Sequence, residues 1–318
     1  QQFVGVCLLK ISGLLSLAGL TTEHGPFMIN ADGETLRIND YSWNKVANML
    51  YLEAPAGVGY SYSKTPSDYV KYNDVITADD SYHFLLNFFA KYPEMADRDF
   101  YISGESFAGH YVPALAKRIH DGNLRREVQK INLRGILVGN GCTEVETDAN
   151  SIPPYFAQHA LIPLNAYNQG VKDCKGNFYR NQNDPQCARF LTSIWNGLDL
   201  VNPYYIYDSC PWTGFEFAKA MSKKYKFDTH NHPLFNLHRR RISRDMPPPG
   251  TEYDTPCVPD SSLIKYFNTP EVRKAIHATK PIASGEWEVC NMEINEAYDW
   301  TYDNMLPFYE GMFFCFTP

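Results

Sequence analysis

Residues 99–119 read DFYISGESFAGHYVPALAKRI, and this stretch restricts the fold more than any other. A strand-forming run ends at Gly104. Ser106 follows, and the small residues Ala108 and Gly109 open a helical pattern with Val112, Leu115 and Ile119 on one side and Gly122 as its expected stop. A sharp strand-to-helix turn of this kind exposes a serine oxygen above the carboxyl edge of a sheet, and it is how a nucleophilic serine is presented. The N–H of the next residue, Phe107, is then a donor for an oxyanion, with the positive end of the following helix behind it. A serine capping a helix after a strand is the competing explanation, and G-x-S-x-A alone leaves both open.

The surrounding text supplies the sheet that such a turn needs. VANMLYLEAP (46–55) is an apolar run stopped by proline, read as a buried strand. ADDSYHFLLNFFAKYP (78–93) places Phe84, Leu85, Phe88 and Phe89 on one helical face with Pro93 beyond it, and INLRGILVGNG (131–141) is a further buried strand. Strand, helix, strand, helix, strand at short spacing predicts an α/β fold with a mostly parallel central sheet. From 142 to about 255 that rhythm is lost among cysteine-bounded loops, Asn and Pro, the Arg239–Arg241 cluster and DMPPPGTEYDTPC. The expected organisation is a core part over 1–141, an inserted cap over 142–255, and a return to the core over 256–318.

Composition removes some partners. The 318 residues carry a net charge of −7 with no basic stripe, which argues against nucleic acid. The opening QQFVGVCLLKISGLLSLAGL is apolar, but Lys10 interrupts it and no basic region precedes it. It is too short for a confident membrane span, and a strand and loop of the core fit it better than a signal sequence. Eight cysteines include no C-x-x-C pair, so neither a zinc ribbon nor a thioredoxin-like site is indicated, and no metal or organic cofactor is expected. Their number fits an oxidising compartment, and Cys174 and Cys187 bracket a polar loop suited to a local disulfide.

GESFAGHYVPALA, EHGPF, YSWNKVANMLYLEAPAGVGYSYS, LRGILVGNG and NTPEVRKAIHA together resemble the serine carboxypeptidase family of the α/β-hydrolase superfamily, including its cathepsin A-like lysosomal members. The resemblance runs from about Gly13 to Phe308. It implies an α/β-hydrolase fold and removal of the C-terminal residue from peptides and proteins through a Ser106 acyl-enzyme. It also implies a site for the substrate's terminal carboxylate at Glu105 and Glu23. A carboxyl kept protonated by a second one nearby can donate a hydrogen bond to a carboxylate, which favours acid pH. The resemblance further implies disulfides Cys174–Cys187 and Cys210–Cys257 and a lysosomal, vacuolar or secreted location, and it leaves a homodimer open.

The family pattern also fails in places. Its Asp and His follow the serine in that order, after segments that would lie beyond Pro318, so this chain is expected to be truncated at both ends and to lack both. The remaining histidines do not replace them. His110 and His120 lie on the elbow helix, His159, His230, His232 and His238 in the cap, and His277 in a helix with no catalytic role. The family's oxyanion loop is replaced by LKISGLLSLAGL, with Leu9, Ile11 and Leu14 where the family has Asn, Gly and Cys, which leaves Cys290 without its partner. Missing edge strands would leave pairing groups exposed and the core marginal. Two other outcomes follow: a non-catalytic relative that binds a peptide or partner protein, or an acyltransferase using the same serine.

Overall fold

Parallel strands need helical crossovers between them, and the chain provides them in sequence. The computed structural model describes residues 3–9, 16–126, 129–197, 206–207, 260–278, 285–289 and 291–315. The first elements are β1 (Phe3–Leu9), α1 (Ser16–Thr22), the hairpin β2 (Phe27–Ile29) and β3 (Leu36–Ile38), and β4 (Ala47–Tyr51). They are followed by α2 (Asp74–Lys91), β5 (Phe100–Glu105), α3 (Ala108–Arg125) and β6 (Leu133–Gly139). The four long strands form one all-parallel sheet in the order β4-β1-β5-β6. The apolar opening segment is therefore an internal strand, paired with β4 on one side and β5 on the other. Register pairs Leu9 with Glu105 and Glu105 with Gly139, so these strands finish at one edge, where an open parallel sheet places its ligands.

Helices α2 and α3 pack against each other, and the main core lies between them and β5. Leu85, Phe89, Phe100, Ile102, Val112, Leu115 and Ile119 are all buried there. Phe89 meets Phe100 edge to face at 5.4 Å. Asn73 starts α2 by accepting the Ile76 N–H at 2.9 Å, and Pro93 lies just past its end. The buried stripe of α2 is Ala78, Tyr82, Leu85 and Phe89, whereas Phe84 and Phe88 are only half-buried at its rim.

Two sequence expectations need correction. Gly122 does not stop α3, which runs three residues further and ends where Arg126 takes a left-handed φ of 54°. Gly122 is instead a close-packing position, because a Cβ there would lie 2.3 Å from the Tyr82 hydroxyl. Neither β4, within the 46–55 run, nor β6 is a buried strand: each has one partner in the sheet among the described residues, β4 is half-buried along its whole length, and Leu137 of β6 is 48% exposed.

The chain divides into two compact units, residues 1–144 with 262–318, and residues 145–261. In the second, α4 (Val145–Gln158), α5 (Leu164–Asp173) and α6 (Pro185–Gly197) enclose Ile162, Phe178, Phe190, Leu191 and Ile194 around a Cys174–Cys187 disulfide. The chain then continues through α7 (Asp260–Asn268), α8 (Pro270–Ala275), α9 (Met292–Ala297) and α10 (Leu306–Cys315). In the first unit Met305 is fully buried against Ala78 and Ala114, and Trp287 against Leu263, Phe267 and Ile294. No described helix is long and apolar enough to cross a membrane.

Candidate active site

Ser106 follows β5 directly and has φ 61°, a left-handed conformation that a residue with a side chain adopts at a cost of order 1–2 kcal/mol. Backbone bonds hold it there. Its N–H donates to Gly139 O at 3.0 Å, and its carbonyl accepts from Cys142 N at 2.8 Å and Gly109 N at 3.0 Å. The turn after β6 thus closes around the turn after β5. Gly109 makes this approach possible, since a Cβ there would sit 2.2 Å from Cys142 O. The Phe107 N–H takes no partner among the described residues, and the 18-residue α3 begins immediately after it. An unspent N–H at a helix start suits a developing oxyanion.

Glu105, the last residue of β5, meets Glu23, which lies just past α1. The end of α1 fixes Glu23: the N–H groups of Glu23 and His24 both donate to Gly19 O, at 3.3 and 3.1 Å. The buried Asn39 amide donates to the carbonyls of Glu23 and Gly25. Burial, the Glu105 charge and a hydrogen bond between the two carboxyls push Glu23 up to about 7. Glu23 therefore holds its proton through the acid range, because two adjacent carboxyls resist ionising together. A protonated carboxyl beside the serine can donate to an incoming carboxylate.

Behind the elbow, the Phe107 ring stacks flat on His110, with centroids 4.6 Å apart and planes within 3°, and Trp300 and Tyr298 close around it. His110 is fully buried, and neither ring nitrogen has a hydrogen-bond partner among the described residues. Asp74 Oδ2 lies 3.9 Å from its Nδ1. Burial pulls His110 down to about 4, so it is a neutral packing ring. Asp74, also fully buried, accepts from Tyr298 Oη at 3.0 Å, Thr301 N at 3.0 Å and Tyr302 N at 3.3 Å. It ties the segment before α10 to the start of α2.

Among the described residues no imidazole is hydrogen-bonded to Ser106. His159 Nδ1 contacts Tyr155 O, and His277 lies in a turn past α8 with φ 59°. Ile11, Leu14, His230, His232, His238, Cys290 and the Cys210–Cys257 pair lie outside the described residues. The structure thus brings together Ser106, Phe107, Glu105 and Glu23. Sequence reasoning missed two further groups. Glu53, beyond β4, accepts from Tyr60 N at 2.8 Å and Trp287 Nε1 at 3.3 Å, and burial pushes it up to about 7. His24, beside Glu23, stacks on Trp43 and Tyr51. Both lie inside quoted motifs, but no spacing rule marks them.

Comparison with known proteins extends this picture. A family model described as "Serine carboxypeptidase" matches residues 13–314. Serine carboxypeptidase-like 31 of Arabidopsis thaliana is 36% identical over 298 residues, covering 92% of this chain and 58% of that protein. Serine carboxypeptidase 24 of the same plant is 37% identical over 303 residues, covering 94% and 61%. The chain thus spans about three fifths of the length of these curated relatives. The crystal structure of Kex1(delta)p, a prohormone-processing carboxypeptidase from Saccharomyces cerevisiae, superposes with a TM-score of 0.68 at 20% identity, over 99% of this chain and 63% of that one. That likeness establishes the α/β-hydrolase fold.

Proposed function

The chain belongs to the serine carboxypeptidase family, and on that premise we propose that it serves the release of C-terminal residues from peptides and proteins through an acyl-enzyme at Ser106. The observation that carries this reading is the adjacency of a strained serine elbow and a hydrogen-bonded carboxyl pair. Ser106 Oγ adds to the last peptide carbonyl as its proton passes to a general base not among the described residues, the Phe107 N–H receives the oxyanion, the terminal amino acid leaves as its protonated amine, and water then frees the acyl group, while Glu105 with Glu23 holds the substrate's free carboxylate. That carboxylate grip separates a carboxypeptidase from a general esterase, and it works below the pH at which Glu23 loses its proton. An acidic lysosomal, vacuolar or secreted setting fits such a site.

A second reading rests on one observation: among the described residues no imidazole meets Ser106. Nucleophile, oxyanion donor and carboxylate grip without a proton relay describe a peptide-binding relative. Removing the base from such a site removes most of the rate while leaving binding intact. The test is release of the terminal amino acid from a blocked dipeptide at pH 5 and pH 7, by the chain and by Ser106→Ala. Serine-dependent turnover, strongest at pH 5, supports the peptidase. Binding of the dipeptide by folded protein with no serine-dependent turnover selects the binding protein. Transfer to an added alcohol in excess of hydrolysis would mark an acyltransferase.

A further inference from the structure

The residue next to the carboxyl pair is an imidazole held between two aromatic rings. The His24 ring lies between Trp43, at 4.7 Å and 27°, and Tyr51, at 5.7 Å and 17°. Nδ1 is 3.1 Å from the Tyr51 hydroxyl, and Nε2 is 3.9 Å from Glu23 Oε2. Only 12% of the His24 side chain is exposed, against 43% for Glu23. The His24 carbonyl accepts the Trp43 N–H at 2.9 Å, which fixes the ring's base.

This surrounding accepts either protonation state. A hydroxyl both donates and accepts, so Tyr51 donates to Nδ1 of the neutral ring and accepts from it when the ring is charged. The flanking aromatic faces attract a cation, which offsets part of the desolvation that lowers the affinity of His24 for a proton. Titratable groups facing the ring include the Tyr51 hydroxyl from β4 and the Glu23 carboxyl, with Glu105 one hydrogen bond further on. On Nε2 a proton sits beside the place where a ligand carboxylate would meet Glu23 and Glu105.

We propose that His24 is a positioning residue of the carboxylate grip, taking up a proton when a C-terminal carboxylate binds and thereby tightening that binding in mildly acid solution. The proposal rests on the carboxylate-binding reading of Glu23 and Glu105. Linkage makes the effect reciprocal: the factor by which ligand favours protonated His24 is the factor by which protonation favours ligand. A coupling of roughly tenfold is the scale expected for a charge brought to a partly buried anion site.

The test titrates N-acetyl-phenylalanine, and its amide as a carboxylate-free control, into the protein and its His24→Gln, His24→Phe and Glu105→Gln variants from pH 4.5 to 8. His24→Phe keeps the aromatic stack if the glutamine variant folds poorly. Wild type is expected to bind the acid about tenfold more tightly than either His24 variant at pH 5 and equally at pH 8, with no such difference for the amide. The imidazole resonance of His24 should titrate about one pH unit higher when ligand is saturating. Equal affinities at every pH, with Glu105→Gln still weakening the acid, overturn the role of His24 and leave the grip standing. If acid and amide bind alike and Glu105→Gln changes nothing, or if the acid does not bind, the grip itself fails and the proposal with it.

Discussion

Replacing Asp74 tests whether the elbow is braced by hydrogen bonds or only by packing. The carboxylate accepts one phenol and two backbone N–H groups from residues 298–302, with His110 at 3.9 Å and no solvent contact. Asp74→Ala orphans all three donors, each at about 1–3 kcal/mol when buried. Relief from holding a buried carboxylate offsets part of that, since burial already pushes Asp74 above its ordinary range. The net expected loss is about 3–5 kcal/mol. Asp74→Asn behaves differently. Its amide oxygen can take the place of Oδ2 and keep both backbone bonds, while its NH2 donates to the Tyr298 oxygen, so the expected loss is about 1 kcal/mol. Urea unfolding at pH 7 separates the two, and exchange of the Thr301 and Tyr302 amides should quicken only in the alanine variant. Equal losses for alanine and asparagine would refute the hydrogen-bond account and leave Asp74 as a shape-filling residue.

Other outcomes follow from single contacts. Gly109→Ala pushes a methyl group against Cys142 O and should cost about 1–3 kcal/mol in urea unfolding and disturb Ser106 geometry in a crystal structure, because a backbone atom cannot step aside. Ser106→Gly should be about 1 kcal/mol more stable than Ser106→Ala in thermal unfolding, since only glycine takes φ 61° without strain. Glu23 binds its proton more tightly folded, at about 7, than at its ordinary 4.5, so its contribution to stability is lost as pH rises through that window. Glu23→Gln should therefore gain stability over wild type between pH 4.5 and 7 and hold a constant lead above, read from unfolding midpoints at each pH. Replacing Cys174 and Cys187 by serine opens a 13-residue span and should cost about 3 kcal/mol, with the loss confined to protection of residues 145–197 in hydrogen exchange.

The elbow was legible because its constraint is local: a strand run, a small-residue turn and an amphipathic helix occupy 21 consecutive residues. Strand β1 was harder to place. Phe3–Leu9 carries no motif, and its position between β4 and β5 is set by pairing with segments 44 and 96 residues away, as in Val4↔Asn48 and Val4↔Phe100. Gly122 was misread because glycine marks both a helix stop and a close approach, and only the Tyr82 hydroxyl across the α2–α3 interface decides which. Strand β6 reads as buried in its apolar residues, yet burial depends on neighbours that its own sequence does not specify. In the site, Glu105 and Glu23 were found through the family resemblance. The His24 stack and the Asp74 brace were not, because each joins residues from separate elements by side-chain geometry alone.

The turn that closes on Ser106 is also where the chain leaves for its second compact unit. Before that departure the peptide is fastened twice, by Cys142 N to Ser106 O and by Met305 N to Thr143 O at 2.8 Å each. The second unit begins at Val145. Such a double anchorage acts as a mechanical stop: a pull transmitted along the polypeptide from that unit meets the Met305 fastening before it reaches the serine. Both fastenings join residues of the first unit, so the bonds that shape the elbow do not depend on the second.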